Sequence, residues 1–159
     1  MRNLLLFLAV ILIAADTTPR AKDVPVPATC TPEVNAVLTD IVRHGSSRQV
    51  YNVMVCGTAA APTAYFVSQD AQGYRHATEI AAPLTDGTTA RIKVLTNDRR
   101  DGVVLAKTGD RIIVFGWYNQ PYPWEHVDGV INNAFCAIHP DLYNGWVVVN
   151  GKRWPTGGC

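Results

Sequence analysis

The sequence predicts a mostly β domain: a small closed or partly open barrel with one N-terminal helix packed on it and disulfides holding it together. Three observations predict it. A single stretch has helical apolar spacing, and six or seven short β-branched and aromatic runs follow it, separated by Gly, Asp, Asn and Pro. The 159 residues are 48% hydrophobic and 17% charged, the composition of one globular domain rather than a disordered, collagenous or multi-span membrane chain. Four cysteines follow an N-terminal segment with the layout of an export signal. A flat sheet of so many short strands would leave long unpaired edges, which favours closure. A sandwich is the alternative, but its usual Cys to Trp to Cys spacing is not evident.

Arg2 supplies a positive charge, Leu4 to Ala15 is a 12-residue apolar run, and Ala14-Ala15 precedes the polar Asp16-Thr17-Thr18. That is the pattern of a cleaved signal peptide over residues 1–15. As a helix the run would span only about 18 Å, short of the roughly 30 Å hydrocarbon core, so no membrane anchor is expected. Residues 16–29 are polar and Pro-rich with nothing periodic to bury, an extended leader before a barrel domain over 30–159. The expected location is secreted or periplasmic.

Cys30, Cys56, Cys136 and Cys159 allow three pairings, and at least one bridge should fasten a chain end. No Cys-x-x-Cys or Cys/His cluster has zinc spacing. Thr31 is the expected N-cap, Pro32 suits the first helical position, and Val34, Val37, Leu38, Ile41 and Val42 share one face. The helix should end near Arg43-His44-Gly45.

Strands are predicted over 50–56, 64–68 and 74–80, and a hairpin at Asp86-Gly87 joins 77–84 to 88–95. Residues 103–106 lead into the longest apolar strand, 111–118, where Gly116 indicates a bulge or tight curvature. The aromatic, Pro-rich loop 119–128 precedes a short strand at 129–132 and the segment 134–143. A final hairpin, 146–149 with 152–154, turns at Asn150-Gly151.

The order of these features resembles a family of small exported bacterial domains without an established reaction. The likeness runs from residue 31 to 155. It rests on the strand ending in Gly57, Gly73-Tyr74-Arg75-His76, Val94-Leu95-Thr96-Asn97-Asp98, and Gly109-Asp110-Arg111 before a strand closing on Gly116-Trp117-Tyr118. His139-Pro140, Gly145-Trp146 and Gly151-Lys152-Arg153-Trp154-Pro155 complete it. The resemblance implies an OB-like β-barrel and export, and no chemistry. Family members carry several histidines where this chain reads VINNAFCAIHP, with His139 alone.

Charge narrows the partners. The full chain has 14 basic and 13 acidic residues, and removing Arg2 with the signal leaves 13 of each, so nucleic acid and anionic membrane are disfavoured. Arg91, Lys93, Arg99, Arg100 and Arg111 are interleaved with Asp98, Asp101 and Asp110, the pattern of a solvated mixed face. Trp117, Tyr118, Tyr122 and Trp124, with His126 in the same loop, form the candidate ligand surface, with Arg75 and His76 nearby. Its expected ligand is an oligosaccharide or a protein partner. The alternative is a small hydrolase or nuclease in which His76 and His139 act as general acid and base and Arg75 stabilises developing charge. His126 with Glu125, Asp128 and His139 matches no known metal template, and no nucleophile elbow, Walker loop or dinucleotide motif is present, so no metal or cofactor is expected.

Overall fold

The computed structural model describes residues 22–45, 49–67, 74–132, 134–135 and 143–156. A 3₁₀ turn, Pro32–Asn35, runs into helix α1, Ala36–His44. Eight strands follow: β1 (Gln49–Ala59), β2 (Ala64–Val67), β3 (Tyr74–Pro83), β4 (Thr89–Asn97), β5 (Arg111–Asn119), β6 (Gly129–Asn132), β7 (Trp146–Val149) and β8 (Lys152–Trp154). Residues 103–106 carry no strand. The predicted signal segment, His139, Cys136, Cys159 and most of 134–143 lie outside the described residues.

Five strands close into a ring. β1 pairs antiparallel with β3, β3 with β4, β4 runs parallel to β6, β6 pairs antiparallel with β5, and β5 returns antiparallel to β1. This is the OB-like barrel, in which closure removes the exposed edges. β2 adds to β3 beyond the ring, and the β7–β8 hairpin adds to β5. Both hairpins turn where expected: Asn150-Gly151 is a two-residue turn with φ positive at both positions, and Asp86-Gly87 lies in a three-residue loop, 85–87, closed by the Leu84 N–H on the Thr88 carbonyl, with φ positive at Gly87.

β6 and β7 occupy one lane along β5. Asn132, where β6 ends, lies opposite Trp117, and Trp146, where β7 begins, lies opposite Phe115. Gly116 sits at that break, where a Cβ would stand 2.5 Å from the Asn132 carbonyl oxygen, so a side chain would push β6 away. The extra residue expected at Gly116 is found in its partner: β1 bulges between Val50 and Val53, and Asn52 there has φ 61°.

Strand alternation decides what is inside. His76, Thr78, Ile80 and Ala82 of β3 face Ala90, Ile92, Val94 and Thr96 of β4 in an inward row. Ile112 and Val114 of β5, Val53 and Val55 of β1 and Ile131 of β6 complete the core, and α1 adds Leu38 and Ile41. The helix face departs from expectation at Val37, which is exposed. Asn35 is buried instead, because the 3₁₀ turn changes the angular phase before α1 begins.

A second apolar layer lies outside the ring: Cys56, Ile113, Phe115, Trp146 and Val148. Val24 and Val26 cover it, together with Cys30 and Val34, and the Val24 carbonyl accepts the Trp146 indole N–H at 3.0 Å. Asp23 pairs with Arg153 at 2.6 Å. This corrects the leader: two valines at alternate positions suffice to dock an extended chain on a hydrophobic face. Of the three possible cysteine pairings, Cys30–Cys56 forms and ties that segment to β1 across 26 residues of sequence. Closing a loop of that length contributes about 3.5 kcal/mol in the chain-entropy account. No helix among the described residues is long and apolar enough to cross a membrane.

Candidate functional site

A groove of about 670 Å³ crosses the outer faces of β3, β4 and β6 and ends beneath the 120–128 loop. Arg75 and Leu95 contribute from β3 and β4, Val130 and Asn132 from β6, and Asn119 and Gln120 from the end of β5. The alternation that sends His76 and Thr96 inward turns Arg75 and Leu95 outward.

The loop is held by its own carboxylate. Glu125 accepts Lys93 Nζ at 2.8 Å through Oε1 and the Tyr122 backbone N–H at 2.9 Å through Oε2. Burial pushes the Glu125 carboxyl up, but the Lys93 ammonium and the Tyr122 N–H together hold it below its ordinary value. Asp128 accepts the Arg91 backbone N–H at 2.7 Å, pinning the far end of the loop to β4. Pro121 and Pro123 restrict the backbone between these anchors. The result is a fixed display: Tyr122 and Trp124 stack with ring centroids 4.7 Å apart and planes 3° apart, yet remain 64% and 70% exposed. A stacked aromatic pair left in water is a candidate contact site.

The predicted residues divide. Tyr122 lines the groove with Arg75, and its stacking partner Trp124 stands beside it. His126 is exposed in the same loop. Trp117 lies on the outer face across the β5–β6 pair from Asn132, half-buried and edge-on to Tyr51 at 4.7 Å. Tyr118 does not face a ligand. It is 4% exposed and packs against Gly129, and its hydroxyl donates to the Asp128 carbonyl at 2.8 Å, so burial raises its pKa. One residue of register separates it from Trp117, and that sends it into the core.

Comparison with known protein families, curated proteins and solved structures returns no match. The site therefore stands on its own geometry.

His76 is also inside. It is 2% exposed, directly across from Thr96 and edge-on to Tyr65 at 4.9 Å, and neither ring nitrogen has a hydrogen-bond partner among the described residues. The ring is turned away from the groove that its neighbour Arg75 lines, so His76 and Arg75 do not share a surface. His139, the other half of the proposed acid–base pair, lies outside the described residues. The metal candidates Glu125 and Asp128 are occupied in holding the loop, and among the described residues no three His, Cys, Asp or Glu side chains gather at ligand distance.

The sequence does not single out four residues found here: Asn119, Gln120 and Asn132, which line the groove, and Asp101, in the smaller recess beside it. Asp101 follows Arg99-Arg100 in a run whose mixed charges predict a solvated face, but the turn after β4 folds it inward to 2% exposure. The Asn97-Asp98 start of that turn was visible as turn chemistry, and its closing hydrogen bond, Asp101 N–H to the Asn97 carbonyl at 2.7 Å, is the kind such residues favour.

Proposed function

We propose that the protein is an exported binding module whose groove holds a neutral oligosaccharide. The observation that carries this reading is the rigid Tyr122–Trp124 stack standing in water at the end of an amide-lined groove. Flat apolar ring faces match the C–H faces of sugars, while Asn119, Gln120 and Asn132 offer both donors and acceptors for hydroxyl groups. Glu125, at the end of the groove, is neutralised by Lys93, and Arg75 is the other ionic side chain in the lining. That leaves little net field for a polyanion.

Position supports the reading as well. OB-like barrels bind across their second and third strands and the loop between the fourth and fifth, and in this ring those are β3, β4 and residues 120–128. This is a fold-level analogy and fixes no ligand. Export to the periplasm or cell exterior is part of the proposal. It rests on the signal-like segment, the Cys30–Cys56 bridge and the resemblance to small exported bacterial domains.

The test is a tryptophan-fluorescence and calorimetric titration of the oxidised protein with N-acetylchitohexaose, cellohexaose and maltohexaose. At least one should bind saturably, with Trp124→Ala weakening it about tenfold and His76→Ala leaving it within about twofold. Absence of saturable binding by all three would sink the oligosaccharide reading. Turnover of a saccharide or phosphodiester that His76→Ala abolishes would favour the hydrolase alternative instead.

A further inference from the structure

The outer wall does not stop at the groove. β4, β6, β5 and β1 are neighbours in that order, and their registers align Lys93, Val130, Asn119 and Gln49 in one row. Gln49 closes the row by donating to Asn119 Oδ1 at 3.1 Å. Two residues further along each strand, on the same outer face, comes the next row: Leu95, Asn132, Trp117 and Tyr51. Leu95 and Asn132 line the groove, so the row that floors it runs on to Trp117 and Tyr51. The Tyr122–Trp124 loop is anchored to β4 through Lys93 and the Arg91 N–H, at the opposite end of these rows from β1.

At that end β1 departs from regular pairing. Between the Val50–Tyr118 and Val53–Gly116 pairs, Tyr51 and Asn52 together stand against Trp117. A regular strand would turn Asn52 toward the core; the bulge, with φ 61° at Asn52, leaves both residues in water, Tyr51 at 56% exposure. The Tyr51 and Trp117 rings meet edge to face, centroids 4.7 Å apart. A cross-strand aromatic pair by itself stabilises a sheet. Continuity with the groove and the exposed amide beside the pair go beyond that role. The chemistry repeats that of the groove, aromatic rings with neutral amides, and no charged side chain stands in the row from Asn132 to Tyr51. Such a path suits a neutral ligand and gives a phosphate or carboxylate no cation to pair with.

We propose that Trp117 and Tyr51, flanked by the Asn52 amide, form a distal subsite that takes the far rings of a neutral oligosaccharide whose near end lies against the Tyr122–Trp124 stack. It rests on the oligosaccharide reading and adds to it a minimum ligand length. Neighbouring strands stand about 4.8 Å apart, so Tyr51 lies about 14 Å from Leu95 over the curving wall. A disaccharide reaches one aromatic pair, and a hexasaccharide reaches both. The experiment is a calorimetric titration of the oxidised protein with N-acetylchitohexaose, cellohexaose and maltohexaose, each beside its own disaccharide.

The hexasaccharide that binds should do so about tenfold or more tightly than its disaccharide. Tyr51→Ala should weaken the hexasaccharide about fivefold and leave the disaccharide within about twofold, while Tyr51→Phe keeps the ring and the wild-type affinity. Trp124→Ala should weaken both ligands. If Tyr51→Ala fails to fold, Tyr51→Thr serves, since threonine suits a strand and carries no ring. Wild-type hexasaccharide affinity in Tyr51→Ala overturns the distal subsite, as does equal affinity of the wild type for the two chain lengths. An equal loss on both lengths in Tyr51→Ala also overturns it, since that marks a general disturbance of the sheet. In each of these cases the groove reading stands as long as Trp124→Ala weakens binding. Absence of binding by all three hexasaccharides overturns the groove reading and the distal subsite together.

Discussion

Asn35 shows how much one polar side chain can fix. It is wholly buried, accepts the Cys56 backbone N–H at 2.7 Å, and donates to the Cys56 carbonyl at 2.9 Å and the Pro83 carbonyl at 2.8 Å. It thereby joins the start of the helix to β1 and β3 where those two strands pair over only a short register. Asn35→Ala leaves three buried backbone groups without partners and should cost about 3 kcal/mol, measured as a lower midpoint in urea with unchanged slope. Asp101 carries the opposite kind of cost. Burial, opposed by the Asn97 N–H and Arg100, raises its pKa from 3.8 to about 7, so the folded state favours the protonated form. Its contribution to stability is then complete below about pH 4, falls as pH rises and is lost above about pH 7, a span on the order of 4 kcal/mol. Asp101→Asn should flatten that decline between pH 4 and pH 8 in chemical denaturation. An identical slope in the variant would mean that the carboxylate is not desolvated as described.

At the scale of elements, what was legible was whatever local pattern controls. Alternation placed the strands, and the Asp86-Gly87 and Asn150-Gly151 turns set their registers, because those signals depend on neighbours in sequence. What was not legible depends on phase or on distant partners. The 3₁₀ turn rotates Val37 outward, and one residue of register sends Tyr118 inward. The docking of Val24 and Val26 requires the Phe115–Trp146 face, which only the assembled β5–β7 pair creates. The 120–128 loop was legible as an aromatic display but not as a rigid one, since its rivet joins Glu125 to Lys93, 32 positions earlier. Glu125→Gln keeps an acceptor for the Tyr122 N–H but loses the ion pair. It should cost about 1 kcal/mol and broaden the near-ultraviolet dichroism of the Tyr122–Trp124 stack. Because the folded carboxyl is held below its ordinary value, the wild-type contribution is present above about pH 4.5 and disappears as pH falls through the folded pKa. The wild type should therefore approach the variant in acid, and a difference that persists at pH 3 would refute the ion pair as the cause.

For the whole molecule, closure of the ring and balance of charge act together on what can bind. The barrel turns the outer faces of β3 and β4 into one continuous wall, and along that wall the basic side chains are met by acidic ones: Arg91 by Glu79 at 2.8 Å and Lys93 by Glu125 at 2.8 Å. The full chain carries a formal charge of only +1, so no long-range field adds to the local one. Binding through stacking and hydroxyl hydrogen bonds releases no condensed counterions, whereas each phosphate neutralised on a single strand contributes about −0.7 to the slope of log affinity against log salt. Hexasaccharide affinity should therefore change by less than about twofold between 50 mM and 500 mM sodium chloride. Single-stranded DNA, if it binds in the same groove through Arg75 and Arg100, should lose affinity steeply over that range. A steep salt slope for the saccharide would mean that charged groups, rather than the aromatic stack and the amides, make its contacts.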